Sequence, residues 1–177
     1  MTKLKILVAP DPILNQKAKS IKSVNNDIRK LMDDMLETMH SDHGIGLAAN
    51  QVGVLQRVIV IHLDEDHIKT TRDLYPLRLA NPEIIDRSQE LVEADEGCLS
   101  VPGQRIPVLR PEWIKIRFLN YNNTMQEIVT GDWLARVLQH EIDHLDGKLI
   151  VHYLSKLKQD VCFRKLVKIK KISQFLG

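Results

Sequence analysis

Hydrophobic residues in the first quarter of the chain recur at the spacing of an amphipathic helix. They lie three or four positions apart between residues 26 and 40, so that they form one stripe along a helix. The pattern predicts a helix over 26–40, with Asn25 or Asn26 as its N-cap. The residues of the stripe are Ile28, Leu31, Met32, Met35, Leu36 and Met39. We interpret the methionines as side chains that fill gaps in the hydrophobic core.

The middle of the chain has the composition of β-strands. Residues 58–61 are all β-branched, which predicts a short buried strand. Residues 77–95 contain further strand-like stretches. We expect them to be interrupted at Asn81-Pro82, because proline cannot donate to a ladder of hydrogen bonds.

A β-hairpin follows in the sequence. Residues 113–119 alternate between apolar and charged side chains, which is typical of a strand with one buried face. Asn122-Asn123 predicts a turn, and we expect residues 125–129 to pair back on the preceding strand.

Two more helices are predicted near the end of the chain. One covers about 132–145 and ends before Gly147, and the other covers about 155–172. The strands lie between one early helix and two late ones, and strand and helix do not alternate. This order predicts an α+β fold with antiparallel or mixed sheets around the helix at 132–145. At roughly 150 residues per domain, the 177 residues predict one catalytic domain over 1–177, with the C-terminal helix attached.

Composition and charge exclude several classes of protein. Twenty-five basic and 23 acidic residues give a formal net charge of +2, which is too balanced to indicate nucleic-acid binding by charge alone. No apolar run approaches the ~18 residues that span a membrane. Residues 6–9 are too short a stretch for a signal-peptide core. The two cysteines make no disulfide framework. We therefore expect a cytoplasmic protein without membrane contact, whose thiols are free for metal binding or catalysis.

Residues 140–144 form an H-E-x-x-H motif on the predicted helix. At about 100° per residue, both histidines share one sector with Glu141 and Val137. An apolar sector lies beside it, formed by Leu134, Leu138, Ile142 and Leu145, and the far side carries Arg136, Gln139 and Asp143. Both imidazoles can then reach one metal ion, with Glu141 next to it. The alternative is a helix with two structural histidines and a solvated glutamate.

A metal site needs a third protein ligand, and the motif does not supply it. Glu141 is the last glutamate of the chain, and Ile150 stands where the extended motif requires a histidine. The remaining candidates are Asp146, His152, Asp160, Cys162 or a residue upstream. A thiolate is the softest of these donors. Upstream, Cys98 lies in a loop bounded by glycine and proline.

Three segments together resemble the peptide deformylase family. They are GIGLAANQ at 44–51, EGCLS at 96–100 and QHEIDHL at 139–145. Each matches its family motif at every characteristic position, and the order and spacing are similar as well. Weaker similarity extends over nearly the whole chain. The departures, IVH at 150–152 and the turn at 122–123, lie outside the site that the resemblance implies.

The resemblance implies a metal-dependent hydrolase that removes the formyl group from the N-terminal formyl-methionine of nascent polypeptides and releases formate. It implies one divalent ion, usually Fe²⁺, with Zn²⁺, Ni²⁺ or Co²⁺ able to occupy the same site. The implied metal ligands are Cys98, His140 and His144, with water in the fourth position. The implied catalytic groups are Glu141 as general base, the side-chain amide of Gln51 and the backbone N–H of Leu99.

The resemblance also indicates where substrate binds. Gly44 and Gly46 let an extended peptide approach the backbone closely. Ile45, Leu134 and Val137 are candidates for an apolar pocket for the methionine side chain. Arg105 is a candidate for the entrance of that pocket.

The C-terminal helix is strongly basic. Its cations are Lys156, Lys158, Arg164, Lys165, Lys168, Lys170 and Lys171, against one acid, Asp160. Its expected apolar side consists of Leu157, Val161, Leu166 and Ile169. By resemblance, this helix makes a transient contact with the ribosome, and the alternative is a solvated face on a docked helix.

Two other functions fit parts of the sequence. A metallopeptidase would use the same motif, but the third-ligand patterns of the familiar peptidases are missing. A catalytically silent relative that binds ribosomes would need no glutamate at position 141. A metal count distinguishes the silent relative from either enzyme, and formate release without peptide cleavage distinguishes the two enzymes.

Overall fold

The computed structural model describes residues 2–63 and 75–176, with side chains as far as residue 170. In chain order the helices and strands are α1 (Asn26–Ser41), β1 (Gly46–Ala48), β2 (Val58–Ile61), β3 (Leu77–Arg87), β4 (Leu91–Glu96), β5 (Ile106–Pro111), β6 (Ile114–Leu119), β7 (Met125–Thr130), α2 (Asp132–Leu145) and α3 (Lys156–Leu176). Short 3-10 helices cover Pro12–Asn15, Ala49–Val52 and Ile150–Tyr153. The predicted α+β fold is confirmed.

Two antiparallel sheets form the β-structure. The larger has the strand order β1-β2-β3-β6-β7, and the smaller pairs β4 with β5. In β2 the four side chains are buried on both faces of the sheet. Val58 and Val60 pack with the apolar stripe of α1, whereas Ile59 and Ile61 pack with α2. The larger sheet therefore lies between α1 and α2.

Besides the two groups of buried residues on either face of the larger sheet, a third group joins the smaller sheet to α3. It contains Val108 of β5 together with Cys162 and Leu166 of α3. The sequence also placed Leu157, Val161 and Ile169 on the apolar side of this helix, and that was wrong: they are 74%, 39% and 37% exposed. Thus α3 docks on the core through Cys162 and Leu166.

The long helices begin and end close to where the sequence predicts. The side chain of Asn25 accepts a hydrogen bond of 3.0 Å from the Ile28 amide and caps α1. Gly147 follows α2 with φ of +75°, and a Cβ atom there would lie 2.5 Å from the Asn15 carbonyl oxygen. Both the backbone angle and the close approach require glycine.

The predicted interruption at Asn81-Pro82 is wrong. Strand β3 continues through it to Arg87, with a register shift between Ala80 and Glu83. A β-bulge accommodates the proline, because a residue in a bulge does not have to donate a backbone hydrogen bond to the neighbouring strand. Asn81 has φ of +49°, and its side chain bonds both backbone groups of Ile21, at 2.9 and 2.8 Å.

Two strands have no counterpart in the sequence prediction. We predicted no strand within residues 44–51, yet β1 pairs with β2 there. Strand β5 carries prolines that hide its alternating pattern of burial. Among the described residues, no helix is both long and apolar enough to cross a membrane.

Candidate metal centre

Helix α2 carries the H-E-x-x-H motif through the interior of the protein. Eleven of its fourteen residues are buried, including Arg136 and Gln139 on the side that the sequence placed away from the core. The helix is buried all round because the smaller sheet covers that side: Gln139 donates to the Pro111 carbonyl oxygen at 3.1 Å. Both histidines of the motif are therefore withdrawn from bulk solvent.

A cysteine on a separate segment meets the two histidines. The Sγ atom of Cys98 lies 3.2 Å from Nε2 of His144, which in turn lies 3.2 Å from Nε2 of His140. One potential ligand atom from each residue lies within 4.8 Å of the others. Two imidazoles and one thiol at this spacing fit a divalent ion with a fourth position left for water or substrate.

The other candidates for the third ligand have different partners. Asp146 forms an ion pair with Arg57 at 2.7 Å, and Asp160 pairs with Lys156 at 3.3 Å. Cys162 is a residue of α3 whose side chain is buried in the core. The fourth candidate, His152, accepts a hydrogen bond from the Leu149 amide at 3.0 Å through its own Nδ1. Of the candidates, the structure thus brings the upstream Cys98 together with both histidines.

Glu141 lies against the backbone of β1. A Cβ atom at Gly46 would be 2.5 Å from Oε1 of Glu141, so only glycine leaves room for this carboxyl group. Its other oxygen, Oε2, is buried and has no hydrogen-bond partner among the described residues. Burial raises the pKa of Glu141 to about 7. A buried oxygen with a free lone pair beside three metal-ligating atoms fits a site that holds an ion and its water.

A buried carboxylate, which sequence reasoning did not single out, orients His140. Glu96 Oε2 lies 2.9 Å from His140 Nδ1, which leaves Nε2 facing the metal position. Arg110 donates to both oxygens of Glu96, at 2.6 and 2.9 Å, and Arg136 donates at 2.8 Å. Burial alone would raise the pKa of Glu96, but the hydrogen bonds from Arg110 and His140 lower it to about 2.

The sequence holds only a weak signal for this network. Glu96 ends β4 two residues before Cys98, where the burial pattern turns its side chain inward. The two arginines that neutralise it come from β5 and α2, 14 and 40 positions away in the chain. No local pattern connects them.

Gln51 and Leu99 border the same position. Gln51 Nε2 donates to Ser100 Oγ at 3.1 Å and lies 3.7 Å from Cys98 Sγ, while Gln51 Oε1 accepts from the Ala48 amide at 2.8 Å. Within the described part of the chain, the Leu99 amide donates to no other group. Both donors therefore lie beside the potential metal ligands.

A cavity of about 720 Å³ opens from this centre to the surface. Five of the six residues expected to bind substrate line it, namely Gly44, Ile45, Gly46, Arg105 and Val137. Leu134 does not: it is 3% exposed and packs in the core between α2 and the larger sheet. The sequence missed Trp133, which lines the cavity instead because it lies one turn before Val137 on α2.

Comparison with known proteins agrees with this geometry. A model of the polypeptide deformylase family matches residues 3–160. The peptide deformylase of Rickettsia akari is 54% identical over 171 residues, which is 96% of this chain and 98% of the relative. The chain belongs to the peptide deformylase family.

Solved structures of peptide deformylases have the same fold. The crystal structure of the enzyme from Ehrlichia chaffeensis has a TM-score of 0.89 and 43% identity, and the match covers 98% of this chain and 99% of that one. A second structure from that organism, in complex with actinonin, has a TM-score of 0.89 and 46% identity, with 95% and 98% covered. The similarity therefore includes both sheets and the three helices.

Replacing Glu96 tests whether its charge maintains the centre. In Glu96→Gln the shape remains, but Arg136 loses its anion and Arg110 keeps only Asp143, at 2.8 Å. We expect the free energy of unfolding to fall by about 3–5 kcal/mol. The metal affinity should fall by roughly 10–100-fold, because His140 loses the negative charge of its partner. Urea unfolding and metal competition with a chelator measure the two effects.

Glu127→Gln is the matched control for this change. Glu127 also pairs with two cations, Lys115 and Arg117, at 2.8 and 2.9 Å, but on the exposed surface. We expect this variant to have the same free energy of unfolding and the same metal affinity as the unaltered protein. If Glu96→Gln behaves like its control, the buried carboxylate does not maintain the centre.

Proposed function

We propose that Cys98, His140 and His144 hold one divalent metal ion at which this chain hydrolyses formylated peptides. The chain is a metal-dependent hydrolase that removes the N-formyl group from nascent polypeptides. The meeting of these three side chains beside the buried carboxyl group of Glu141 carries the proposal. When bound, the ion supplies Lewis acidity that brings the pKa of water toward about 7.

Glu141 is the proposed general base. Its Oε2 accepts a proton from the attacking water, and the same carboxyl group later delivers that proton to the leaving amine as the carbon–nitrogen bond breaks. The products are formate and a free methionine amine.

Two donors are proposed for the oxygen that becomes negative during the reaction. The side-chain amide of Gln51 is held in place by the Ala48 amide and by Ser100. The backbone amide of Leu99 is available on the opposite segment. Loss of one such donor costs about 10²–10³ in rate.

The substrate peptide is proposed to extend the larger sheet. Strand β1 is the edge strand of that sheet. Its Ala48 amide already donates to Gln51, so an added strand would pair with the other outer backbone groups of β1. Ile45, Trp133 and Val137 line the cavity and offer an apolar surface for the methionine side chain. Arg105 lies at the same cavity and helps to shape its entrance.

Fe²⁺ is the resident ion that we propose, with Zn²⁺, Ni²⁺ or Co²⁺ able to take its place. A thiolate and two imidazoles are ligands suited to each of these ions. We also propose that residues 1–177 form one catalytic domain that acts in the cytoplasm, where nascent peptides emerge.

Substitution of Glu141 tests the reaction and the role of the base together. Glu141→Gln should keep its metal, because Glu141 is not among the three ligands, and should lose nearly all turnover of a short formyl-methionyl peptide. Formate release is measured on protein purified without oxygen, with the metal content determined in the same sample. Cys98→Ala serves as the comparison and should lose metal. Activity near that of the unaltered protein in Glu141→Gln would disprove the role of the base, and peptide cleavage without formate would disprove the reaction.

Contact of α3 with the ribosome is a separate proposal. Lys158, Arg164 and Lys165 are exposed on this helix. Replacing all three by glutamate should weaken co-sedimentation with purified ribosomes, and the salt dependence of binding should become shallower. Lys22, Arg87 and Arg117, exposed outside α3, are replaced in the same way as a control of equal charge. Equal binding by both triple variants would contradict the proposal.

A further inference from the structure

Two histidines outside the metal centre bring their ring nitrogens together at the surface. Nε2 of His40 lies 2.7 Å from Nδ1 of His62, and the ring centroids are 4.9 Å apart with 59° between the planes. Both side chains are exposed. Neither residue lines the cavity of the metal centre.

Rigid backbone holds each member of this pair. His40 lies in the last turn of α1, next to the fully buried Met39. His62 directly follows β2, and its amide donates to the Ile45 carbonyl oxygen at 3.0 Å. The two rings therefore meet without ordering of a loop, which lowers the entropic cost of binding one ligand through both.

His40 is suited to act as a neutral donor. Partial burial and the neighbouring His62 lower the pKa of His40 below its ordinary value. At neutral pH its ring is then uncharged and has a nitrogen lone pair for a hydrogen bond or for a metal ion.

We propose that His40 and His62 form a second site for a divalent transition-metal ion, of the class that prefers imidazole: Cu²⁺, Ni²⁺ or Zn²⁺. Metal–nitrogen bonds of about 2.0–2.1 Å place two ligand nitrogens about 2.9–3.4 Å apart, so a small rotation of exposed rings suffices. Within the described residues no third histidine, cysteine or carboxylate joins the pair, and water completes the coordination.

Metal at this site would fasten the end of α1 to the end of β2. Between these ends the chain runs through residues 43–45, which line the cavity of the metal centre. An ion that binds only the folded state stabilises it by mass action. Binding at the second site should therefore raise the melting temperature of protein that already holds its catalytic ion.

Calorimetric titration with Ni²⁺ tests the proposal. Untagged protein is first loaded with one equivalent of Ni²⁺, so that exchange at the catalytic centre gives no signal, and is then titrated with more Ni²⁺ at pH 7.5. We expect a second equivalent to bind with a dissociation constant below about 100 µM. Each of His40→Ala and His62→Ala should weaken this step by at least about tenfold, since one of two linked ligands is gone.

His43→Ala is the matched control, because it removes an imidazole three positions from His40 and should leave the second equivalent in place. Melting curves show that each variant folds. They should also show that excess Ni²⁺ raises the melting temperature of the unaltered protein but not of His40→Ala or His62→Ala. No second equivalent in the unaltered protein would overturn the proposal and leave the pair as a hydrogen bond. A second equivalent that survives both substitutions would overturn it as well.

Discussion

The buried negative charge of Glu96 is the constraint on which the metal centre depends. A carboxylate in the interior is unfavourable unless cations and hydrogen-bond donors surround it. Here Arg110 of β5 and Arg136 of α2 supply the positive charge, and His140 supplies a further contact. One ion network thus fastens β4, β5 and α2 to each other. Since Cys98 follows Glu96 by two residues, the same network determines where the thiol meets the histidines.

The segment from Gly44 to Gln51 serves the centre from the other side. It forms the edge strand of the larger sheet, and its backbone at Gly46 leaves just enough space for Glu141. It ends with Gln51 beside Ser100. Asn50, in between, donates a hydrogen bond from its side chain to the His144 carbonyl oxygen and so ties this segment to the end of α2. Eight consecutive residues therefore contact the proposed base, include the proposed oxyanion donor and form the edge at which we propose that the peptide binds.

Local patterns in the sequence predicted the parts of the fold that local interactions determine. The stripe of α1, the alternation in β6 and the motif of α2 each follow from the period of one element. The bulge at Asn81, the strand at Gly46–Ala48 and the burial of Arg136 depend on distant segments, and the sequence prediction missed them. The position of the proposed third metal ligand also depends on segments that are distant in the chain. Spacing along the chain left five alternatives open, whereas the resemblance of three motifs pointed to Cys98, where the structure brings the thiol to His144.

X-ray absorption at the zinc edge tests most directly that Cys98, His140 and His144 together hold the ion. In protein loaded with one equivalent of Zn²⁺, we expect one sulfur at about 2.3 Å and two imidazole nitrogens at about 2.0–2.1 Å. The sulfur signal should disappear in Cys98→Ser and remain in Cys162→Ser, since the Cys162 side chain is buried in the core beneath its own helix, α3. A spectrum that nitrogen and oxygen explain without sulfur, or a sulfur that persists in Cys98→Ser, would contradict the account.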